Sequence, residues 1–135
     1  MKYPILKALL FAIPAFGFAQ KATQSPYTDP RKLAELIDQR GDEGAVRYYL
    51  VDVRTAQEYR DGHISTAANI PVDVIGSKPP TDKKDELIIV YCRSGARSAA
   101  AKQTLDRLGY TNVVDFGGVP RWTGELVRGD KPTKD

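Results

Sequence analysis

The chain has one cysteine, Cys92, which ends a strand-forming run, Glu86 to Tyr91, and opens the segment Arg93-Ser94-Gly95-Ala96-Arg97-Ser98. A helix-forming run from Ala96 to Leu108 follows. A chain that turns from strand into helix aims several main-chain N–H groups at one spot, and the two arginines add positive charge around the sulfur. Both features favour thiolate. Free cysteine, with a pKa of roughly 8.5, is only a few per cent ionised near neutrality, and helix N-termini and cations lower that value by about one to several units. The chemistry implied is attack by sulfur on an anionic substrate. A cysteine serving as a small buried apolar residue is the plainer alternative, but it leaves unexplained the glycine and two arginines in the next five residues.

Few other residues offer chemistry. Asp52 and Arg54 stand at the end of a second strand-forming run, Arg47 to Val53, and Glu58 lies four residues beyond Arg54. That spacing predicts an ion-pair network holding the strand end, with Glu58 as the partner of Arg54. His63 is the only histidine and is expected to be a hydrogen-bonded structural residue. One histidine and one cysteine make no credible metal site, and no cofactor is implied. Trp122 is expected to be a pocket wall.

These residues need elements to place them. Thr28-Asp29-Pro30 predicts a helix start, and Leu33, Leu36 and Ile37 recur at helical spacing up to Gly41. Thr55 can cap a short helix that stops at Asp61-Gly62. Ala67 to Ile70 fits a brief strand, and residues 76 to 85 read as a solvated loop. Ala99, Ala100, Leu105 and Leu108 mark the expected buried face of the helix after the cysteine loop, and Asn112 to Phe116 is a further strand. Gly117-Gly118 then turns toward Trp122. Strands alternating with helices predict an α/β fold with a parallel sheet covered on both faces. In such sheets the C-terminal strand ends collect the functional loops, so Asp52, Cys92 and Gly117 are expected to meet in one crevice.

The first 19 residues differ in kind. Lys2 and Lys7 flank the start of an apolar stretch, Ile5 to Ala19, that closes with Gly17-Phe18-Ala19, which predicts a signal peptide cleaved before Gln20. The stretch carries Lys7, Pro14 and Gly17 and is short of the roughly 20 residues a membrane span needs, so no stable membrane anchor is expected after cleavage. The whole chain has a formal charge of +3; without the leader it has 18 basic and 17 acidic residues, or +1, and loses the basic character that would suggest nucleic acid. A periplasmic or secreted location follows. In an oxidising compartment an unpaired cysteine is an intermolecular bridge or a reactive thiol. Residues 20–27 read as a polar lead-in, 28–130 as a single domain and 131–135 as a polar tail.

An ordered set of motifs resembles the rhodanese domain in its single-domain exported form. The set comprises Val51-Asp52-Val53-Arg54, Glu58-Tyr59, Gly62-His63-Ile64, Ala67-Ala68-Asn69-Ile70-Pro71, Val90-Tyr91-Cys92-Arg93-Ser94-Gly95-Ala96-Arg97-Ser98, and Gly117-Gly118 followed by Trp122. The resemblance runs from about Tyr27 to Arg128. It implies a rhodanese-like α/β fold with a central parallel sheet of about five strands flanked by helices on both faces, and a persulfide-forming cysteine. It also places Asp52 and Arg54 near the site. The pattern departs at Thr66, where family members usually carry glycine; a turn that needs positive φ there strains threonine.

The expected reaction moves a sulfane sulfur from thiosulfate through a Cys92 persulfide to a thiophilic acceptor such as cyanide, a thiol or a redox protein. Main-chain amides of residues 93 to 98 would stabilise the sulfur anion, Arg93 and Arg97 would grip the small anionic donor, and Ser94 and Ser98 would add hydrogen bonds. Thiosulfate is preferred over mercaptopyruvate because arginine follows the cysteine, an analogy with the family. Two rivals remain. An exported sulfur carrier or sensor needs the same nucleophile without turnover. A phosphatase or arsenate reductase of the related type uses a longer loop than the four residues between Cys92 and Arg97.

Overall fold

In a computed structural model of the chain, the structure describes residues 24–133. The expected leader, residues 1–19, lies outside the described residues. Asp29 starts the first helix, α1 (Pro30–Asp38): its Oδ1 accepts the Arg31 N–H at 2.8 Å, and Pro30 occupies the first turn, where a missing N–H is harmless. Leu33, Leu36 and Ile37 form its buried stripe. The central strands follow as β1 (Tyr48–Asp52) and, much later, β4 (Leu87–Cys92), separated by α2 (Ala56–Asp61), β2 (His63–Ile64) and β3 (Ala68–Asn69). Beyond β4 come α3 (Ala96–Arg107), β5 (Val113–Gly118) and β6 (Leu126–Val127).

Among the described residues, four strands form one parallel sheet in the order β3-β1-β4-β5, while β2 and β6 pair antiparallel beside it. The count falls below the expected five because the short strands around His63 and Leu126 pair with each other rather than extend the sheet. All six residues of β4 are buried, as a central strand covered on both faces requires. Its side chains alternate: Leu87, Ile89 and Tyr91 pack with α1 and Tyr59 of α2, whereas Ile88, Val90 and Cys92 pack with Ala101 and Leu105 of α3.

Two local features, the buried face of α3 and the domain ends, differ from the sequence expectations, and the Thr66 turn takes one of the two forms left open. The buried face of α3 is Ser98, Ala101 and Leu105, not Ala99, Ala100 and Leu108; Ala99 and Ala100 are exposed, and so is Leu108. Thr66 adopts φ +72°, the only positive φ among the described non-glycine residues, so the turn keeps the glycine-type conformation with threonine in it. Its hydroxyl lies 2.9 Å from the Tyr48 hydroxyl, and its N–H donates to Thr133 O. Residues at the two ends of the domain are tied in: Tyr27 packs against the core, and the carbonyls of Lys131 and Thr133 bind His63, Ser65 and Thr66. No helix among the described residues is long and apolar enough to cross a membrane.

Candidate active site

β1, β4 and β5 end side by side, with Asp52 beside Tyr91 and Cys92 beside Gly118. The chain leaves β4 at Cys92, turns through Arg93, Ser94 and Gly95 and enters α3 at Ala96. Gly95 makes that turn at φ +104°, a conformation glycine adopts without a Cβ clash. The Gly95 N–H donates to Cys92 Sγ at 3.0 Å, and Ser98 Oγ lies 3.6 Å from the sulfur. Ser98 Oγ also lies 3.0 Å from Gly95 O and 3.4 Å from Gly117 O, within reach of both the loop and β5.

Gly118 closes the turn from behind. A Cβ at this position would come 2.5 Å from the Arg93 carbonyl oxygen, so any side chain here displaces the backbone of the cysteine loop. Cys92 has no exposed surface, whereas Arg93, Ser94 and Ala96, which follow it, are exposed.

Burial pushes the Cys92 thiol up, but the Ser98 hydroxyl and the main-chain N–H groups of Ser98, Gly95 and Ser94 outweigh it, and the thiol titrates below its ordinary value. Of the amides of residues 93 to 98, those of Ser94, Gly95 and Ser98 act on the sulfur. The arginines are less equal than expected. Arg93 is exposed, and among the described residues its guanidinium has no hydrogen-bonding or ionic partner. Arg97 is bound bidentately by Glu58, at 2.7 and 3.0 Å.

That contact corrects the expected pairing of Glu58 with Arg54. Arg54 is taken by Asp52, two residues back in the chain, through Nε and Nη2 at 2.7 to 3.1 Å, and its Nη2 also donates to Gly62 O. The Asp52–Arg54 pair is buried and fastens the end of β1, as an ion-pair reading predicts; Asn69 adds bonds to the carbonyls of both residues. With Arg54 occupied, Glu58 in the first turn of α2 faces Arg97 in the first turn of α3, because β1 and β4, which precede these helices, are neighbours. Glu58 is held at a pKa of about 2 by the Arg97 guanidinium, against opposition from burial, with further help from the Thr55 N–H and hydroxyl.

His63 is structural in its contacts. Its Nδ1 lies 2.8 Å from Tyr59 O, its Nε2 3.1 Å from Lys131 O, and its ring stacks on Tyr59. Trp122 joins the core cluster of the α1 side rather than the one that contains Cys92, with its indole N–H donating to Glu125 O, so its expected place as a wall of the cysteine pocket is not what the packing provides. Among the described residues no cluster of three or more His, Cys, Asp or Glu is placed to hold a metal ion. Two concavities, of about 450 and 880 Å³, open at the N-terminal ends of the strands, near Tyr48 and near Leu87, away from the cysteine loop. Their linings include charged side chains, among them Asp42 and Arg47 in the first and Glu86 and Lys102 in the second.

The chain belongs to the rhodanese-like domain family, whose model matches residues 30–125. It is 35% identical over 81 residues to the thiosulfate sulfurtransferase PspE of Escherichia coli (strain K12), a match that covers 58% of this chain and 78% of that protein. It is 39% identical over 74 residues to a sulfurtransferase of Allochromatium vinosum, covering 54% of this chain and 69% of the other. Among solved structures, a rhodanese with anions from E. coli matches with a TM-score of 0.58 and 30% identity, over 62% of this chain and 100% of that one.

Proposed function

We propose that this chain is a sulfurtransferase that takes the sulfane sulfur of thiosulfate onto Cys92 and passes it to a thiophilic acceptor. The observation that carries the reading is the Gly95 N–H donating to Cys92 Sγ at 3.0 Å in a turn closed by Gly118. Such a turn stabilises sulfur as an anion before and after it gains a second sulfur. Membership of a family whose relatives include named sulfurtransferases supports the same reading.

In the first step the Cys92 thiolate attacks the outer sulfur of thiosulfate. The new S–S bond forms as the bond to the sulfonate sulfur breaks, sulfite leaves with the electron pair, and Cys92 holds an anionic persulfide. In the second step cyanide or a thiolate takes the outer sulfur and returns the thiolate. Of the two arginines in the segment, Arg93 is the one without a partner among the described residues and is left to meet the incoming anion. Arg93→Ala should therefore raise the donor KM several-fold, less so at high salt, while stability changes by about 0.5 kcal/mol or less, as for an exposed side chain. An unchanged KM at low salt removes Arg93 from donor binding.

Steady-state release of sulfite and thiocyanate from thiosulfate and cyanide tests the reading. Turnover that vanishes in Cys92→Ser is expected. Loading of one sulfur without turnover would instead make the protein a sulfur carrier, and brisk hydrolysis of an aryl phosphate with no sulfite release would make it a phosphatase.

A further inference from the structure

Arg97 follows the cysteine loop directly, yet its guanidinium is occupied. Nη1 donates to Glu58 Oε2 at 2.7 Å and Nη2 to Glu58 Oε1 at 3.0 Å. Glu58 is fixed in turn, since its Oε2 also accepts from the Thr55 N–H at 2.9 Å and the Thr55 hydroxyl at 3.1 Å. The carboxylate cannot swing away from Arg97 without uncapping α2. The side chains are 29% and 34% exposed, so the pair is partly shielded from water. The segment that follows Cys92 thus carries two arginines, Arg93 and Arg97, and the Glu58 carboxylate is committed to Arg97.

We infer that Glu58 sets donor specificity by acting through Arg97: it cancels that arginine's charge, leaves Arg93 as the one arginine of the Cys92 segment without a partner among the described residues, and so limits the preference for doubly over singly charged sulfane donors. The donor half of this inference rests on the sulfur-transfer reading; the charge half does not.

Glu58→Gln is the discriminating variant. Glutamine also serves at this position of a capping box, so the α2 start keeps an acceptor while the charge is lost. Two donors are compared, thiosulfate as the dianion and benzenethiosulfonate as the monoanion, both with a terminal sulfane sulfur. In Glu58→Gln the ratio of kcat/KM for thiosulfate to that for benzenethiosulfonate should rise roughly two- to fivefold at low salt. That is the size of a unit charge acting over about 10 Å in partly solvated surroundings. The rise should shrink at high salt. In parallel, the ratio of Cys92 alkylation rates by iodoacetate and iodoacetamide should rise by a similar factor, a measurement that needs no sulfur transfer. Such ratios cancel changes in thiolate fraction and general damage to the loop, so a merely structural role leaves them unmoved.

The double variant Glu58→Gln/Arg97→Gln should return both ratios to the wild-type values; a rise that persists would place the released charge elsewhere and overturn the inference. An unchanged or lowered alkylation ratio in Glu58→Gln overturns it as well, whatever the donors do. An unchanged donor ratio in protein that turns over both donors overturns the specificity claim. Wild-type protein that takes sulfur from neither donor, with a raised alkylation ratio in Glu58→Gln, overturns the sulfur-transfer reading and keeps the charge role.

Discussion

Hydrogen bonds do more than cations to acidify Cys92. Burial raises the thiol, and the Ser98 hydroxyl together with three loop amides brings it below its ordinary value. Ser98 has the strongest single role in that set and also bonds Gly95 O. Ser98→Ala should raise the midpoint of the pH profile for Cys92 alkylation by iodoacetamide; a midpoint that stays or falls shows that the amides suffice alone. The sequence exposed the cysteine and the glycine turn beside it because both lie within one contiguous segment. It did not expose which arginine is free, since Glu58 and Arg97 are separated by 39 residues and the choice depends on Arg54 being taken by Asp52.

At the scale of elements, two helix starts meet, and the meeting titrates. The ordinary value for Glu58 is 4.5 and in the fold it is about 2. A carboxyl with a depressed folded value contributes stability above its unfolded value and loses it as pH falls through the folded one. Wild type should therefore exceed Glu58→Gln by about 1 to 2 kcal/mol at pH 6, a figure reduced for solvent screening of a partly exposed pair. The margin should shrink between about pH 4.5 and pH 2, read from urea midpoints across that range; a margin independent of pH contradicts the pairing. The Thr66 turn gives a second test. Thr66→Ala loses the hydroxyl contact with Tyr48 and keeps positive φ, whereas Thr66→Gly relieves it. The glycine variant should be the more stable of the two by about 1 kcal/mol in urea unfolding, and equal stabilities would show that the turn relaxes.

Element boundaries were readable where the signal is local: Asp29-Pro30 and Thr55 cap the helices they were expected to cap. The buried face of α3 was not, because Ser98 looks polar and its place inside depends on bonds to Gly95 and Gly117 that only the fold supplies. Sheet order was hidden too. β4 inserts between β1 and β5, and nothing in strand composition says that β2 leaves the sheet to pair with β6.

Across the whole molecule, the same arrangement that buries the core builds the site. A strand buried on both faces ends at Cys92, a neighbouring strand ends at the buried Asp52–Arg54 pair, and the third brings Gly118 against the loop backbone. The C-terminal residues of the domain are fastened to the segment around β2, with Lys131 O near His63 and Thr133 O bonded to Ser65 and Thr66. The sulfur that results is fully buried and held by main-chain amides. The intact mass of the protein after incubation with thiosulfate tests this account most directly. One added sulfur atom, found on the peptide that contains Cys92 and absent from Cys92→Ser, is the predicted result; an unchanged mass in the wild type, or the same gain in the serine variant, would contradict it.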